Sequence, residues 1–443
     1  MNTYTELKTM PETLIKAFTE KLFIENNVAR DFPESIKKLK KNDLKPIKCK
    51  KRLDLRDVEC FTIDCDDTKD MDDAVSLEKT TFGYRIGVHI ADVAAYIKLG
   101  SELDELAMKR GYSIYLPLET IPMLPSLLSN DLCSLNPNVD RLAISVLINL
   151  DDFINVLDFK IVKSVIRSRI KGSYSEVNKI LDGTAEKTIK DKYRRVQNLL
   201  FEMKYLAEKL RLDRILHGVE CSEETDNKIL VDGWAITINP KIKGDAEQII
   251  EEFMVLANRL VAKYFVDRSL PVVFRSQLEK GKVAIYTTEE CPHAELNLLH
   301  YVHFTSPIRR LADLKIHQIL TLHLDGMPTE TIHSLLDEHL EEAADRAKRS
   351  KGRADNVMKA TRNYCFRLWA EMQPQKEYSA KFVGFDNKRL PIFEILPYHV
   401  RATGNAKFRG TVGDMMSCKL STSPKDNRLR VINITVNYSV NTL

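Results

Sequence analysis

From residue 52 to about 170, apolar residues fall in short alternating runs, which predict strands at 59–64, 73–79, 84–92, 141–149 and 157–169. One helix interrupts them at 102–110: Ser101 with Asp104 resembles a capping box at its start, and Gly111 ends it. Upstream, residues 1–50 are polar and helical in pattern, with helices near 11–25 and 33–41 opened by Pro11 and Pro33. Downstream the period lengthens. Ile189, Tyr193, Val196, Leu200 and Met203 line one stripe of a helix over 185–217, stopped by Gly218. Ile249, Ile250, Phe253, Leu256, Leu260 and Val261 line another over 245–265. Ser306-Pro307 reads as the N-cap and first residue of a helix reaching about 324, and helices resume over 329–372. After 376, short β-branched runs at 378–385, 392–395 and 429–436 predict a small β-barrel. The expected class is α+β, divided into a helical basic extension (1–51), a mixed domain (52–375) and the barrel (376–443).

A chain of 443 residues exceeds what one core usually serves, in keeping with more than one domain. Its 44% hydrophobic and 29% charged residues are ordinary for a soluble protein, and no apolar run reaches the roughly 18 residues of a membrane span. The opening Met1-Asn-Thr-Tyr-Thr-Glu6 has neither the basic start nor the apolar stretch of a secretory signal. The eight cysteines, at 49, 60, 65, 133, 221, 291, 365 and 418, form no CxxC pair. They read as reduced thiols of a cytoplasmic protein, not as zinc ligands or disulfides. Without a P-loop, a GxGxxG or a GxSxG, nucleotide-cofactor and serine-hydrolase chemistry lack support.

One local feature changes this ordinary picture. Asp64, Asp66, Asp67, Asp70, Asp72 and Asp73 crowd six carboxylates into ten residues, on a chain whose net charge is +4. A short acidic run is commonly a solvated surface loop. Here Cys60, Phe61 and Ile63 precede it and Ala74, Val75 and Leu77 follow, so the carboxylates are held between buried strands. An EF-hand reading fails, because Lys69 stands where the glycine belongs and Val75 where the closing glutamate belongs. Carboxylates this close remain ionised together when cations sit among them, and all-oxygen ligands favour magnesium or manganese. Basic residues also cluster: Lys37, Lys38, Lys40, Lys41, Lys45, Lys48, Lys50, Lys51 and Arg52 accompany a single acid, Asp43. Arg346, Lys348, Arg349, Lys351 and Arg353 form a second group. Such runs are usually solvated faces; beside a metal-and-phosphate site they point to a polyanionic partner.

A second constellation lies at His303-Phe-Thr-Ser-Pro-Ile-Arg-Arg-Leu-Ala-Asp313. Arg309 and Arg310 in a first helical turn would oppose the helix dipole, which is either a surface accident or an anion pocket made of free N–H groups and guanidinium.

The acidic run, Gly87-Val-His-Ile-Ala-Asp-Val93, Tyr115-Leu-Pro117, Ile121-Pro-Met-Leu-Pro125 and Leu132-Cys-Ser-Leu135 stand in the order of the RNase II/RNase R family. Val165-Ile-Arg-Ser-Arg169, Glu251-Glu252 with Ala257-Asn258, and His303–Asp313 continue the match, and Leu53-Asp-Leu-Arg-Asp57 is closer to the RNase R branch. The resemblance covers roughly residues 30–372. It implies an RNB catalytic domain, a mixed sheet with surrounding helices and an RNA channel, followed by an OB-type barrel. It also implies hydrolysis of single-stranded RNA from the 3′ end to nucleoside 5′-monophosphates by two magnesium ions, with manganese possible. By the same resemblance the metal ligands are Asp64, Asp70, Asp72 and Asp73, with Asp72 also able to hold the nucleophilic water. Tyr115 falls at the 3′-terminal nucleotide and Arg309 at the scissile phosphate, with Ser306 and Arg310 beside it on the RNA. On pattern alone Tyr115 is a core aromatic. His89 and Asp92 read as supports, His317 as a helix-face histidine, and Asp66 and Asp67 as lying outside the ligand set.

The chain also departs from the family. A helical, basic stretch of about 50 residues stands where relatives carry two cold-shock barrels, Leu311 replaces a tyrosine, and Met71 stands at a position often aromatic. A later family glutamate aligns nearest to Thr361. The alternatives kept open are a non-hydrolytic RNA-binding protein and an exonuclease for short oligonucleotides. The expected state is a monomer without membrane partners.

Overall fold

The computed structural model describes residues 9–47, 51–220, 226–422 and 427–436. Met1–Glu6, Lys48, Cys49, Lys50 and Cys221 lie outside the described residues, as do the ends of the first and last segments.

The strands between 52 and 175 assemble into one mixed sheet: β1 (Leu53–Leu55), β2 (Cys60–Asp64), β3 (Asp73–Thr80), β4 (Gly83–Ala91), β5 (Arg141–Leu150), β6 (Val156–Ile166) and β7 (Lys171–Ser173). Their order is β1-β6-β5-β4-β3-β2-β7, antiparallel except at the edges, where β1 joins β6 and β7 joins β2 in parallel. The near-continuous burial of β2 through β5 explains their runs of Ile, Val and Ala, since both faces are covered. The junction that matters is β2 with β3. They pair only at Cys60–Ser76 and Phe61–Val75, after which β2 leaves its neighbour to pair with β7 through Thr62, Ile63 and Asp64. The two strands therefore splay, and residues 65–72 bridge the open mouth.

Helices cover this sheet: α1 (Pro11–Glu25), α2 (Glu102–Arg110), α3 (Tyr174–Leu181), α4 (Lys187–Tyr193), α5 (Gln197–Leu216), α6 (Asp245–Val266), α7 (Leu311–Leu324) and α8 (Thr329–Glu371). The start and stop of α2 are as the sequence predicts: Ser101 Oγ accepts from Asp104 N–H and Gly111 sits at φ 68°. No other residue serves well at Gly111, because a Cβ there would also meet Ser350 Oγ of α8 at 2.3 Å.

Four expectations need correction. The helix over 185–217 is two, broken after Tyr193, whose hydroxyl accepts from Ser173 N–H at 3.0 Å and donates to Glu176 at 2.7 Å; periodicity does not register such an anchor. The helix over 33–41 shrinks to Glu34–Lys37, with Ile36 its one buried residue and Pro33 outside it as the cap. The helices over 329–372 are a single one, α8, which at 1.5 Å per residue is about 65 Å long. Finally, Ser306 does not cap a helix. α7 begins at Leu311, and residues 306–310 form a turn in which Arg309 N–H and Arg310 N–H both donate to the Ser306 carbonyl.

Beyond the sheet lie a hairpin, β8 (Asp226–Asp232) and β9 (Ala235–Lys241), and a closed barrel of β10 (Glu377–Phe385), β11 (Pro391–Leu396), β12 (Val400–Thr403), β13 (Met415–Thr422) and β14 (Leu429–Val436). The barrel interior, with Phe382, Phe393, Ile395, Met416 and Cys418, is continuous with Trp369 of α8, Ile15 of α1 and Ile229, Ile236 and Ile238 of the hairpin. No helix among the described residues is long and apolar enough to cross a membrane.

Candidate active site

The splayed mouth between β2 and β3 sets Asp64 at the end of one strand and Asp73 at the start of the other. Met71, fully buried between them, pins the bridging loop from inside. Its N–H donates to Ser134 Oγ at 3.1 Å, the Ser134 hydroxyl donates to the Lys69 carbonyl at 2.8 Å, and Leu135 N–H donates to the Met71 carbonyl at 3.0 Å. Lys171 closes the other side by donating to the Thr68 carbonyl at 2.6 Å. With Met71 turned inward, Asp70 and Asp72 are held on either side of it.

The turn 306–310 comes to meet this loop from 236 residues away. Asp72 accepts from Ile308 N–H at 2.8 Å and from Arg309 Nε at 3.0 Å. Arg309 also donates to Ser306 Oγ at 2.8 Å. The turn is itself held by Asp313, which accepts from Ser306 N–H at 2.8 Å and from Arg310 at 2.7 Å. Ser113 N–H bonds the Arg309 carbonyl, tying in the segment that carries Tyr115. The Tyr115 ring is 39% exposed and its hydroxyl donates to Asp70 at 2.6 Å. Asp64, Asp70, Asp72, Asp73, Arg309 and Tyr115 thus share one site. Ser306 and Arg310 stand behind it, both mostly enclosed, the first bonded to Arg309 and the second paired with Asp313.

The electrostatics are those of anions pressed together out of water. Burial, then the Asp73 and Asp72 carboxylates, drives the Asp64 pKa well above its ordinary value. Burial pushes Asp72 up to about 8 against the pull of Arg309, and pushes Asp73 up to about 6. Burial would lower the Arg309 pKa, but the Asp72 charge beside it prevails and raises it. Among the described residues no three such side chains converge as a finished ligand set, since Asp72 is turned to Arg309 and Asp70 to Tyr115. The donors nevertheless fit a hard cation. Among the described residues Asp64 Oδ2 and Asp73 Oδ2 are buried without a hydrogen-bond partner, and a buried anionic oxygen left bare is costly unless a cation or donor meets it.

Asp66 and Asp67 face elsewhere, toward Ser175 at 2.6 Å and Lys228 at 3.2 Å. His89 is buried between Ser76 Oγ and Ser145 Oγ, and Asp92 pairs with Arg52 at 2.6 Å; both brace strands behind the site. His317 lies in the interior, stacked on Phe304. Thr361 is buried on α8. The basic runs are less free than their composition implied. Lys41 pairs with Asp131, Arg52 with Asp92, and Arg346, Arg349 and Lys351 with acids four residues away.

The sequence reading missed the hairpin β8–β9, which lays Lys228 on Asp67 and Lys241 near Cys65 Sγ and the Tyr174 ring. Its signal was present: Asp232-Gly233 between two β-branched alternating runs, with Gly233 at φ 52°.

Comparison with known proteins agrees with this architecture. The RNB domain family matches residues 52–283 and 279–326. Ribonuclease R of Thermotoga maritima is 35% identical over 357 residues, 67% of this chain and 50% of that protein, so the chain spans about half the length of this relative. Mycoplasma genitalium RNase R, solved in complex with ribose-methylated single-stranded RNA, superposes with a TM-score of 0.82 at 23% identity, over 94% of this chain and 78% of that one. Yeast Ssd1, a pseudonuclease, shares the fold at a TM-score of 0.64 and 17% identity, over 95% of this chain and 58% of that one. With the domain matched across more than half its length, the chain belongs to the RNB family, alongside ribonuclease R.

Proposed function

We propose that the protein is a magnesium-dependent exoribonuclease that hydrolyses single-stranded RNA from its 3′ end to nucleoside 5′-monophosphates. The observation that carries this reading is the meeting of four aspartates with Arg309 and Tyr115 at one mouth of the sheet, built from segments far apart in sequence. Asp64, Asp70, Asp72 and Asp73 would hold two divalent ions, magnesium first and manganese as substitute. When bound, such ions supply Lewis-acid stabilisation of the charge that builds on phosphate and leaving oxygen.

The chain's own groups do the positioning. Arg309, rigidly aligned by Asp72 and Ser306, presents a guanidinium to the scissile phosphate, and Arg310 with Asp313 keeps its turn in place. The half-exposed Tyr115 ring offers a face on which a terminal base stacks without selecting sequence. Asp72, whose burial makes its carboxylate a stronger base than an ordinary aspartate, would accept a hydrogen bond from the attacking water. Cys60, Cys133, Cys365 and Cys418 are buried free thiols, which suits a reducing, cytoplasmic setting.

The rival is a binder that keeps the fold without hydrolysis, as the yeast pseudonuclease illustrates. Fold alone does not separate the two. The complete carboxylate set favours hydrolysis, because RNA binding by itself gains nothing from buried negative charge. The test is digestion of a 5′-labelled unstructured RNA with magnesium, beside EDTA, a DNA of equal sequence and Asp72→Asn. A ladder shortening from the 3′ end, lost with EDTA and reduced at least about a hundredfold in Asp72→Asn with RNA affinity retained, is expected. RNA bound but left whole by the wild type would make the binder the better reading.

A further inference from the structure

At the end of the sheet where β5 turns into β6, a cavity of about 300 Å³ opens between that turn, α5 and α6. None of its lining belongs to the acid loop or to residues 303–310. Its walls mix apolar side chains, Ile154, Val156, Leu210, Leu256 and Leu298 among them, with charged ones. Its rim is more unusual. Phe153 at the turn is 87% exposed, Leu216 at the end of α5 is 77% exposed and Leu212 one turn earlier is 49% exposed. Phe82, at the tip of the neighbouring β3–β4 turn, is 75% exposed as well, and Gly83 beside it lies against the Leu150 carbonyl and Asp151. Isolated exposed apolar side chains are ordinary. Several around one cavity make a patch of the kind that marks contact with another protein.

The charge inside the cavity selects the partner. Arg214 is satisfied by Glu252, at 2.8 and 2.9 Å. Arg259 is not: it lines the cavity, burial lowers its pKa, and among the described residues it has neither ion pair nor hydrogen bond. Asp213 is the nearest carboxylate acting on it, but Asp213 lies 3.3 Å from His217 Nδ1 instead. Lys209, also in the lining, lies over the Tyr205 ring and among the described residues has no ion pair. Set against the acids Asp213 and Glu252, the cations Lys209, Arg214 and Arg259 leave the lining with one positive charge over, and a guanidinium taken partly out of water gains most from a carboxylate.

We propose that this cavity docks a segment of a partner protein presenting a bulky apolar side chain beside an aspartate or glutamate. The volume accommodates one or two side chains, while the exposed rim of Phe153, Leu212 and Leu216 is wider than a small ligand needs and fits the flanks of a peptide. Nothing in this depends on RNA hydrolysis.

The test is selection of random dodecapeptides displayed on phage against the full chain, followed by fluorescence anisotropy of the enriched peptides on wild type, Arg259→Gln and Leu212→Glu. The expected result is a consensus pairing an acid with Phe, Leu or Ile. Affinity should weaken about tenfold or more in Arg259→Gln, weaken as well in Leu212→Glu, and fall with added salt in the wild type. Both variants should melt and digest RNA as the wild type does, which separates this proposal from the proposed activity. Enriched peptides without an acid, or binding indifferent to both substitutions, overturn it. A wild-type dimer in light scattering that Leu212→Glu returns to monomer also overturns it, by assigning the patch to a second copy of the chain.

Discussion

Asp64 and Asp73 each bury an oxygen that nothing among the described residues meets, whereas Asp70 and Asp72 are met by Tyr115 and by Arg309 with Ile308. The unmet pair is therefore where a divalent ion contributes most to the folded state. Magnesium or manganese should raise the melting temperature of the wild type, EDTA should reverse the shift, and Asp64→Asn with Asp73→Asn together should abolish it. An equal shift in the double variant would remove these two residues from the metal site. His89 makes a different prediction. Burial depresses its pKa to about 4, so it is neutral in the folded protein and protonates in the unfolded chain near 6.5. Its contribution to stability is complete above about 6.5 and is lost as pH falls toward about 4, at about 1.4 kcal/mol per unit. Melting temperature followed from pH 7 to 4 should fall less steeply in His89→Gln than in the wild type; parallel curves would mean the imidazole does not titrate as its burial implies. At this scale the sequence was most legible, because six carboxylates in ten residues conflict with any ordinary surface. It was least legible for Ser306 and Arg310, whose partners Arg309 and Asp313 are a matter of how one turn folds back.

Among elements, those with a clear local signature, an alternating apolar run or a cap at each end, came through plainly: β2, β3, β4, β5 and α2 lie within a residue or two of expectation. Others failed where a tertiary contact outweighed the local pattern. Ser306-Pro307 carries the signature of a helix start, yet Ile308 N–H is claimed by Asp72 and the helix begins five residues after Ser306. In the barrel, β12 was missed because Val400–Thr403 is short, and β13 is weakly patterned because it fills its inward positions with Met416, Cys418 and Leu420, not with β-branched residues. The acid loop is an element of a different kind, irregular but fixed. Ser134 secures it twice, accepting from Met71 N–H and donating to the Lys69 carbonyl. Ser134→Ala should leave a buried N–H and carbonyl unmet, costing about 1–3 kcal/mol, and should lower turnover with little change in RNA affinity. Equal turnover with the stability loss present would show that the aspartates keep their places without this brace.

Across the whole molecule, one helix joins what the sheet positions to what the barrel adds. α8 packs on α7 and α2 near its start and ends inside the barrel's own core, so the barrel is not a loosely tethered appendage. Trp369 is the joint: its ring lies 5.5 Å from Tyr378 and 4.8 Å from Tyr398, while Glu371 accepts from Thr422 at 2.8 Å and Arg367 donates to Asn427 at 2.9 Å. Removing the indole takes away its packing against both tyrosines but touches neither the acid loop nor the turn 306–310. Trp369→Ala should cost about 3–5 kcal/mol locally, so the barrel should melt as a separate, earlier transition and trypsin should cut first near residues 372–376. If the barrel helps to grip RNA, a long single strand should then bind more weakly while cleavage of a very short oligonucleotide holds its rate. Loss of both together would mean that the joint also sets the geometry of the distant site, and α8 would then be part of the catalytic architecture as well as its support.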